Sequence, residues 1–212
     1  MFSGLFGGIY GRRSGRTAAR GRATTEERDP FAPSLRLIGD RVLLRALSAD
    51  DAEAMFAFAS DPEVTRYLPW EPAVSVESVR PFLEDQVLRW QRHDSLGFAI
   101  VLRETGQMIG STDLMELHRT RGQAELGYLI ARPWWGQGLM TEAARLTAAH
   151  AFGALRIGRL VAFADVENYG SRRVLDKLGM HVSGSEMRNV RNEDRLYLRH
   201  EIRRADWLAH QK

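Results

Sequence analysis

Two glycines separated by one residue lie in the part of this sequence best suited to binding chemistry. Gly136-Gln137-Gly138 follows a short, mostly apolar run from Ala124 to Ala131, which has the length and composition of a β-strand. From Leu139 onward, small and apolar residues recur every three or four positions, as on one face of a helix. A helix start reached through glycine offers N–H groups and a positive dipole end, which suit a phosphate or pyrophosphate. The alternative is that the glycines serve turn geometry alone.

Two common nucleotide motifs and thiolate metal sites are excluded. The chain has no Gly-x-x-x-x-Gly-Lys-Ser/Thr sequence, so it has no P-loop. The fingerprint Gly-x-Gly-x-x-Gly is missing too, because Thr141 stands where its third glycine would be. The absence of cysteine removes disulfides, thiolate zinc ligands and a cysteine nucleophile. The histidines lack the spacing of ligands, and no metal is expected; they are His93, His118, His150, His181, His200 and His210.

The first 33 residues are predicted to be a disordered Arg/Gly-rich extension of a single domain that spans residues 34–212. Residues 1–28 hold six arginines and two glutamates, a net charge of +4, whereas the remainder carries −1. The high isoelectric point therefore partly reflects this extension and does not indicate a nucleic-acid-binding domain. Three interpretations stay open: an organelle transit peptide, a basic arm that contacts RNA, the ribosome or anionic lipid, or a segment without a role.

The periodicity of the domain predicts strands and helices in alternation. The predicted strands are Arg36–Ile38, Val42–Leu47, Leu96–Arg103, Gln107–Leu117, Ala124–Ala131, Arg159–Ala164, Val182–Val190 and Arg195–Ile202. The predicted helices are Ala52–Ala59, a short one at Asp61-Pro62-Glu63, one capped by Ser75 that ends near Arg92, one from Leu139, and one from Asn168 to Gly179. Phe82 is assigned to the buried face of the helix that Ser75 caps. No apolar run approaches the roughly 20 residues of a bilayer span, so no membrane insertion is expected and a cytoplasmic location is favoured.

The stretch from Gln123 to Ala144 resembles motif A of the GNAT acyl-CoA N-acyltransferases, in their RimJ/RimL-like branch. The six positions of its usual pattern, Gln/Arg-x-x-Gly-x-Gly/Ala, correspond to residues 135–140. Only Gly138 matches the strict pattern, and Trp135 and Met140 depart from it. The flanking Glu-Leu-Gly-Tyr and Thr-Glu-Ala sequences are characteristic of the branch. Further on, Asn-x-x-Ser-x-x-x-Leu-x-x-Leu-Gly, beginning at Asn168, resembles motif B.

The resemblance covers residues 34–205, because Asp-Pro-Glu-Val-Thr-Arg-Tyr from Asp61 and Pro-Trp-Glu-Pro from Pro69 also fit the branch. It implies an α/β (α+β) fold with a central mixed, largely antiparallel sheet of about seven strands, flanked by about four helices. The sheet of this family is splayed at the acetyl-CoA site. Monomer and homodimer are both compatible with the sequence.

The resemblance also implies the reaction, in which an amine attacks the thioester of acetyl-CoA directly and no covalent enzyme intermediate forms. The pyrophosphate is expected on backbone N–H groups of Gln137, Gly138, Leu139, Met140 and Thr141. The pantetheine arm is expected to pair with the backbone of Tyr128, Leu129 and Ile130 and to hydrogen-bond Asn168. Ser171, one helical turn further on, is the expected proton donor to the leaving thiolate.

Six further residues are candidates for handling the amine. Glu125 is the expected base, acting directly or through a water, because the acceptor arrives mainly protonated. Asp113 is the second candidate for this role, and Tyr197 is an alternative acid. In the family, the helical region before residue 93 forms one wall of the acceptor site, and the expected substrate contacts are Tyr67, Trp70, Glu71 and Asp113.

The sequence leaves three functions open. The first is an N-acetyltransferase that acts on the N-terminal α-amine of a protein or peptide, as the RimJ/RimL resemblance suggests. The second is the same chemistry on a small amine such as an amino acid, polyamine or aminoglycoside. The third is a non-catalytic module that binds acyl-CoA, with its basic extension docked on RNA or the ribosome.

Overall fold

Eight strands form one mixed sheet in the computed structural model, which describes residues 29–118 and 122–209. They are β1 (Arg36–Ile38), β2 (Val42–Ala46), β3 (Leu96–Leu102), β4 (Met108–His118), β5 (Gln123–Ile130), β6 (Arg159–Asp165), β7 (His181–Val190) and β8 (Glu193–Arg203). Their order is β1-β2-β3-β4-β5-β6-β8-β7. Only β5 and β6 pair in parallel, and the other neighbours are antiparallel. The predicted fold class is confirmed, and the eight strands agree with the eight predicted from periodicity, one more than the about seven that the resemblance implies.

Six helices accompany the sheet within the described residues. They are α1 (Ala52–Ala59), α2 (Pro62–Thr65), α3 (Val76–Arg92), α4 (Leu139–Gly153), α5 (Tyr169–Lys177) and α6 (Arg204–Ala209). The caps predicted at Ser75 and Asn168 are confirmed, since each side chain accepts a backbone N–H at the start of α3 and α5, and the side chain of Asp61 does the same at α2. These caps satisfy N–H groups that a helix start leaves without a partner. After β8 the chain forms α6, whose Trp207 is buried.

Two apolar layers cover the two faces of the sheet. The α4 side packs small residues such as Ala143 and Ala144 against Ala124 and Leu126 of β5. The other side packs α1 and α3 against β3, with Leu129 of β5 at its margin. Because side chains alternate along a strand, Leu129 shares its face with Glu125, away from α4.

The sheet opens between β5 and β6. These strands pair only from Gln123 to Glu125, opposite residues 159–161, although β5 continues to Ile130 and β6 to Asp165. Beyond Glu125, the two strands keep their outer partners, β4 and β8, and diverge from each other. The result is a wedge-shaped gap whose edges carry backbone groups without a partner strand, which confirms the predicted splay.

The packed chain begins before the predicted domain boundary at Ser34. Phe31 is buried, and its carbonyl accepts a hydrogen bond from Trp90 Nε1 at 2.7 Å. A buried aromatic ring with a satisfied carbonyl packs as part of the core. The domain boundary at residue 34 stays a prediction, and residues 1–28 of the extension predicted over residues 1–33 lie outside the described part of the chain.

Candidate functional site

The glycine turn places the start of α4 beside the gap. Gly136 and Gly138 have φ angles of +74° and +77°, in the left-handed region that residues with a Cβ rarely adopt. Gly138 is the N-cap, and no side chain caps this helix. The first-turn N–H groups of α4 therefore point out of the loop without helical acceptors. The predicted phosphate-binding positions, Gln137 to Thr141, thus form an N-terminus suited to an anion.

An arginine that sequence reasoning did not single out lies against this loop. Arg41, in the turn between β1 and β2, donates from Nη1 to the carbonyl of Gln137 at 2.9 Å. Its Nε donates to Glu142 Oε2 at 3.0 Å, and its own backbone N–H reaches Glu142 Oε1 at 2.7 Å. Burial alone would raise the pKa of Glu142, but these hydrogen bonds lower it below its ordinary value. The pair fixes the β1–β2 turn to the helix start and leaves a guanidinium beside it.

Trp135, which departs from the motif A pattern, has a structural role in this loop. Its indole Nε1 donates to the carbonyl of Ile130, the last residue of β5, at 2.7 Å. Gln137 closes the same loop, because its side-chain amide donates to the carbonyl of Pro133 at 2.9 Å. The glycine turn is therefore held against the end of β5. This fixes the position of the candidate anion-binding loop relative to the edge of the gap.

Three predicted cofactor residues meet across the gap. The hydroxyl of Tyr128, on β5, lies 3.0 Å from Ser171 Oγ and 3.0 Å from the Ser171 carbonyl, on α5. The N–H of Ser171 donates to Asn168 Oδ1 at 3.0 Å. Burial raises the pKa of the Tyr128 hydroxyl above its ordinary value, so it stays protonated. The side chain of Tyr128, rather than only its backbone, therefore takes part in this predicted site.

Glu125 lies where the gap begins, as the last β5 residue paired with β6. Its side chain is half-buried, and burial raises the pKa of its carboxyl above the ordinary value. The guanidinium of Arg188, on β7, opposes this rise, whereas the negative charges of Glu116 and Glu186 add to it. A half-buried carboxyl with a raised pKa, at the point where the gap begins, has the properties of a candidate general base.

Tyr67, Trp70 and Glu71, three of the four predicted acceptor contacts, lie in residues 66–75 between α2 and α3, which we call the acceptor loop after that prediction. The hydroxyl of Tyr197, on β8, donates to the carbonyl of Tyr67 at 2.7 Å, and burial raises the pKa of this hydroxyl. Glu71 pairs with Arg191 at 3.3 Å, and Trp70 is exposed beside it. The hydrogen bond donated by the Tyr197 hydroxyl thus ties β8 to the acceptor loop. The role of Tyr197 as an alternative acid stays a prediction.

Comparison with known proteins decides the family. Residues 41–181 match the family model for the acetyltransferase (GNAT) domain, which is well over half of the chain. The chain belongs to the GNAT acetyltransferases. It is 30% identical over 151 residues to "Uncharacterized N-acetyltransferase p20" of Bacillus licheniformis, covering 70% of this chain and 83% of that protein. As a member of this family, with RimJ/RimL-like motifs, the protein is an N-acetyltransferase enzyme.

Two further GNAT proteins differ from each other in the acceptor that their names give. Spermidine N(1)-acetyltransferase of Escherichia coli (strain K12) is 27% identical over 146 residues, covering 69% of this chain and 76% of that protein. A solved structure titled ribosomal-protein-S5-alanine acetyltransferase, from Vibrio fischeri, aligns with a TM-score of 0.68 at 21% identity. It covers 82% of this chain and 99% of that chain. At this identity the structural likeness shows the GNAT fold alone.

The GNAT family uses acetyl-CoA, and the arrangement at the gap fits that molecule. An uncapped helix start, a nearby guanidinium of Arg41 and two left-handed glycines suit a pyrophosphate. The edges of the gap carry strand backbone without a partner, which suits the amide groups of a pantetheine arm. No cluster of three or more His, Cys, Asp or Glu side chains that could hold a metal ion occurs in residues 29–118 and 122–209.

The remaining candidate, Asp113, lies on β4 opposite Gly127 of β5. It is only 9% exposed, and Oδ1 has no hydrogen-bond partner within the described chain. A Cβ added to Gly97 would lie 3.0 Å from this oxygen and 2.5 Å from Oε1 of Gln86, on α3. Asp113 Oδ1 and Gln86 Oε1 are both hydrogen-bond acceptors, and both are buried next to Gly97. The two oxygens satisfy each other if the Asp113 carboxyl is protonated and donates to the Gln86 amide oxygen. Burial raises the pKa of Asp113 to about 7, in agreement with a neutral group.

We expect the substitution Asp113→Asn to flatten the pH dependence of stability. The folded pKa of about 7 lies above the ordinary value, so the folded state holds this proton more tightly than the unfolded state. The contribution of Asp113 is therefore fully present below about pH 4 and is lost as the pH rises towards 7. Asparagine is neutral at every pH, so the stability of the variant does not fall with pH in this way. The variant should be more stable than the wild type at about pH 8, and the difference should shrink at about pH 5.

Urea unfolding at the two pH values measures this difference. Asp85→Asn, in an exposed ion pair on α3, is the matched control and should show no such trend. A constant difference between wild type and Asp113→Asn from pH 5 to pH 8 would show that Asp113 is ionised in the folded state.

None of the helices in the described ranges has the length and apolar character that a membrane crossing requires.

Proposed function

We propose that this GNAT enzyme transfers the acetyl group of acetyl-CoA to the N-terminal α-amine of a protein or peptide. The observation that carries the proposal is the place of Glu125, half-buried at the point where β5 and β6 separate and on the face opposite α4. In this proposal, the gap and the start of α4 bind the cofactor from the α4 side of the sheet. An amine that approaches from the α1–α3 side meets the carboxylate of Glu125 first.

Acetyl-CoA supplies a thioester whose carbonyl the neutral amine attacks, and CoA leaves as the thiol. Glu125 removes a proton from the incoming ammonium group, directly or through a water. An α-amine has a pKa of about 7.7–8.0 and a lysine side chain about 10.4, so a single carboxylate with a raised pKa suits the former better. Positioning the two substrates supplies much of the remaining rate enhancement.

Ser171 is the proposed proton donor on the opposite side of the gap. Its Oγ lies 3.0 Å from the Tyr128 hydroxyl, and its helix start is held by Asn168. The two hydroxyls are linked, so a proton given up by Ser171 can be replaced from Tyr128, whose raised pKa keeps it protonated. Asn168 and the unpaired edges of β5 are the proposed partners of the pantetheine arm.

A small polyamine is the second candidate acceptor, because a relative of 27% identity is named as a spermidine acetyltransferase. A polyamine-binding site needs several carboxylates to balance several positive charges. Glu71 is the carboxylate on the acceptor loop, and it is already paired with Arg191. This pairing favours the peptide α-amine.

The experiment follows thiol release from acetyl-CoA with two acceptor pools: short peptides with free N-termini, and small amines that include spermidine and an aminoglycoside. Since the protein has no cysteine, the thiol signal comes from the cofactor alone. We expect release with peptides to exceed release with small amines, and to vanish when the peptide N-terminus is blocked. Release with spermidine alone would replace the peptide by the polyamine as acceptor.

A further inference from the structure

A largely apolar cavity of about 390 Å³ opens beside the acceptor loop. Its walls are α1, the loop of residues 70–74, α3 and Leu129 of β5. The volume lies within the range of roughly 300–1,000 Å³ that is usual for small-ligand pockets. Leu129 places the cavity on the same face of β5 as Glu125, opposite α4. An acceptor whose amine is at Glu125 therefore has this cavity on its own side of the sheet.

Three large apolar side chains at this cavity remain exposed to solvent. Trp70 is 45% exposed, Val74 87% and Phe82 38%. The helical period assigns Phe82 to the buried face of α3, yet the acceptor loop does not cover it. Large apolar residues grouped around one concavity and left open to water are the mark of a site that buries an apolar group.

The charges at the cavity argue against a polycation as its occupant. Glu71 is the carboxylate in the described lining, and Arg191 neutralises it at 3.3 Å. The Arg191 guanidinium also donates to the carbonyl of Arg66 at 2.7 Å, which fixes a positive group at this edge. The rest of the lining is apolar apart from Ser78.

We infer that this cavity binds an apolar side chain within the first two residues of the acceptor peptide. The inference rests on the proposed α-amine acceptor and adds that the enzyme prefers acceptor peptides with an apolar side chain near the N-terminus. Along β5, Leu129 is four residues from Glu125, roughly 13 Å at about 3.3 Å per residue. An extended peptide covers about 3.3–3.6 Å per residue and carries its side chains beyond the backbone, so the first two residues bridge this span. A two-carbon acetyl group is too short to fill the cavity from the cofactor side.

The test compares kcat/KM for peptides with phenylalanine or leucine in the first two positions against peptides with serine or aspartate there. We expect the wild type to prefer the apolar peptides about tenfold or more. Phe82→Ala should reduce that preference about tenfold. Leu88→Ala is the matched control, because Leu88 is a similarly exposed apolar residue of α3 outside the cavity, and it should keep the preference.

A second variant adds a charge at the cavity mouth. Val74→Glu, at a highly exposed position, should lower kcat/KM for the apolar peptides and raise it for spermidine. Val182→Glu, on the exposed edge strand β7, is the control for added charge and should do neither.

The outcomes separate this inference from the proposed function. Peptide acetylation without an apolar preference, or with equal effects of Phe82→Ala and Leu88→Ala, would overturn the inference while the peptide acceptor stands. Turnover of spermidine with no peptide turnover would overturn both. Acceptance of longer acyl-CoA donors that Phe82→Ala abolishes would assign the cavity to the acyl chain and overturn the inference as well.

Discussion

Glu125→Gln is expected to lower kcat for peptide acetylation by about 100-fold to 1,000-fold, within the usual range for loss of a general base. The change keeps the shape of the side chain and removes its ability to take a proton. Glu125 is half-buried where the gap begins, and burial raises its pKa, which is why we propose that it meets the ammonium ion. KM for acetyl-CoA should change little, since the anion-binding loop lies at the other end of β5. Steady-state kinetics with both substrates varied measure this split.

The matched control for this variant is Glu116→Gln, which removes a nearby exposed negative charge that also acts on Glu125. It should lower the pKa of Glu125 slightly and leave kcat close to the wild type. The pH profile adds a second readout. Because the base must be ionised, kcat/KM of the wild type should fall as the pH drops below the raised pKa of Glu125, and the residual activity of Glu125→Gln should lack that limb. Full activity of Glu125→Gln would remove Glu125 from the reaction.

Gly138→Ala is expected to raise KM for acetyl-CoA about 10-fold to 100-fold while kcat at saturation stays within a few-fold of the wild type. At φ +77° an alanine costs about 1–2 kcal/mol of backbone strain. Its methyl group would also enter space whose nearest atom is Arg41 Nη2, at 3.5 Å, beside the N–H groups proposed to hold the pyrophosphate. Both effects act on the loop proposed to bind the cofactor and spare Glu125. Initial rates at varied acetyl-CoA, together with calorimetric binding of CoA, measure the change.

Gly106→Ala separates the strain from the binding effect. Gly106 has φ +72° in the turn between β3 and β4, and a Cβ there meets nothing within 4 Å. The Gly106→Ala variant should lose about as much stability as Gly138→Ala, and its KM for acetyl-CoA should equal that of the wild type. If both variants raise KM equally, the effect on Gly138 is one of stability alone and the loop is not the pyrophosphate site.

Local features of this chain were predictable from its sequence. Asp61, Ser75 and Asn168 act on N–H groups two or three residues away, so a cap can be read from neighbouring letters. The strand, glycine turn and helix of residues 123–153 depend on short-range periodicity and on glycine's access to positive φ. The motif resemblance then placed these elements in one fold, which the structure confirms.

Features that depend on distant contacts were not predictable in the same way. Arg41 and Glu142 are 101 residues apart, and no local pattern indicates their pairing. The meeting of Tyr128 with Ser171, 43 residues apart, exists because β5 and β6 stop pairing after Glu125. Helical period assigned Phe82 to the core, but whether a face is covered depends on the loop that packs over it. The burial of Asp113 beneath α3 likewise depends on distant packing, which its sequence neighbours do not indicate.

The most direct measurement is to locate the acetyl group on a peptide that carries both a free N-terminus and an internal lysine. The peptide is incubated with acetyl-CoA and either the wild-type enzyme or Glu125→Gln, and fragmentation mass spectrometry then assigns the modified nitrogen. We predict acetyl on the α-amine with the wild type, none on lysine, and a rate lower by about 100-fold or more with Glu125→Gln. Acetyl on the lysine side chain, or equal rates with the two proteins, would contradict the proposed function.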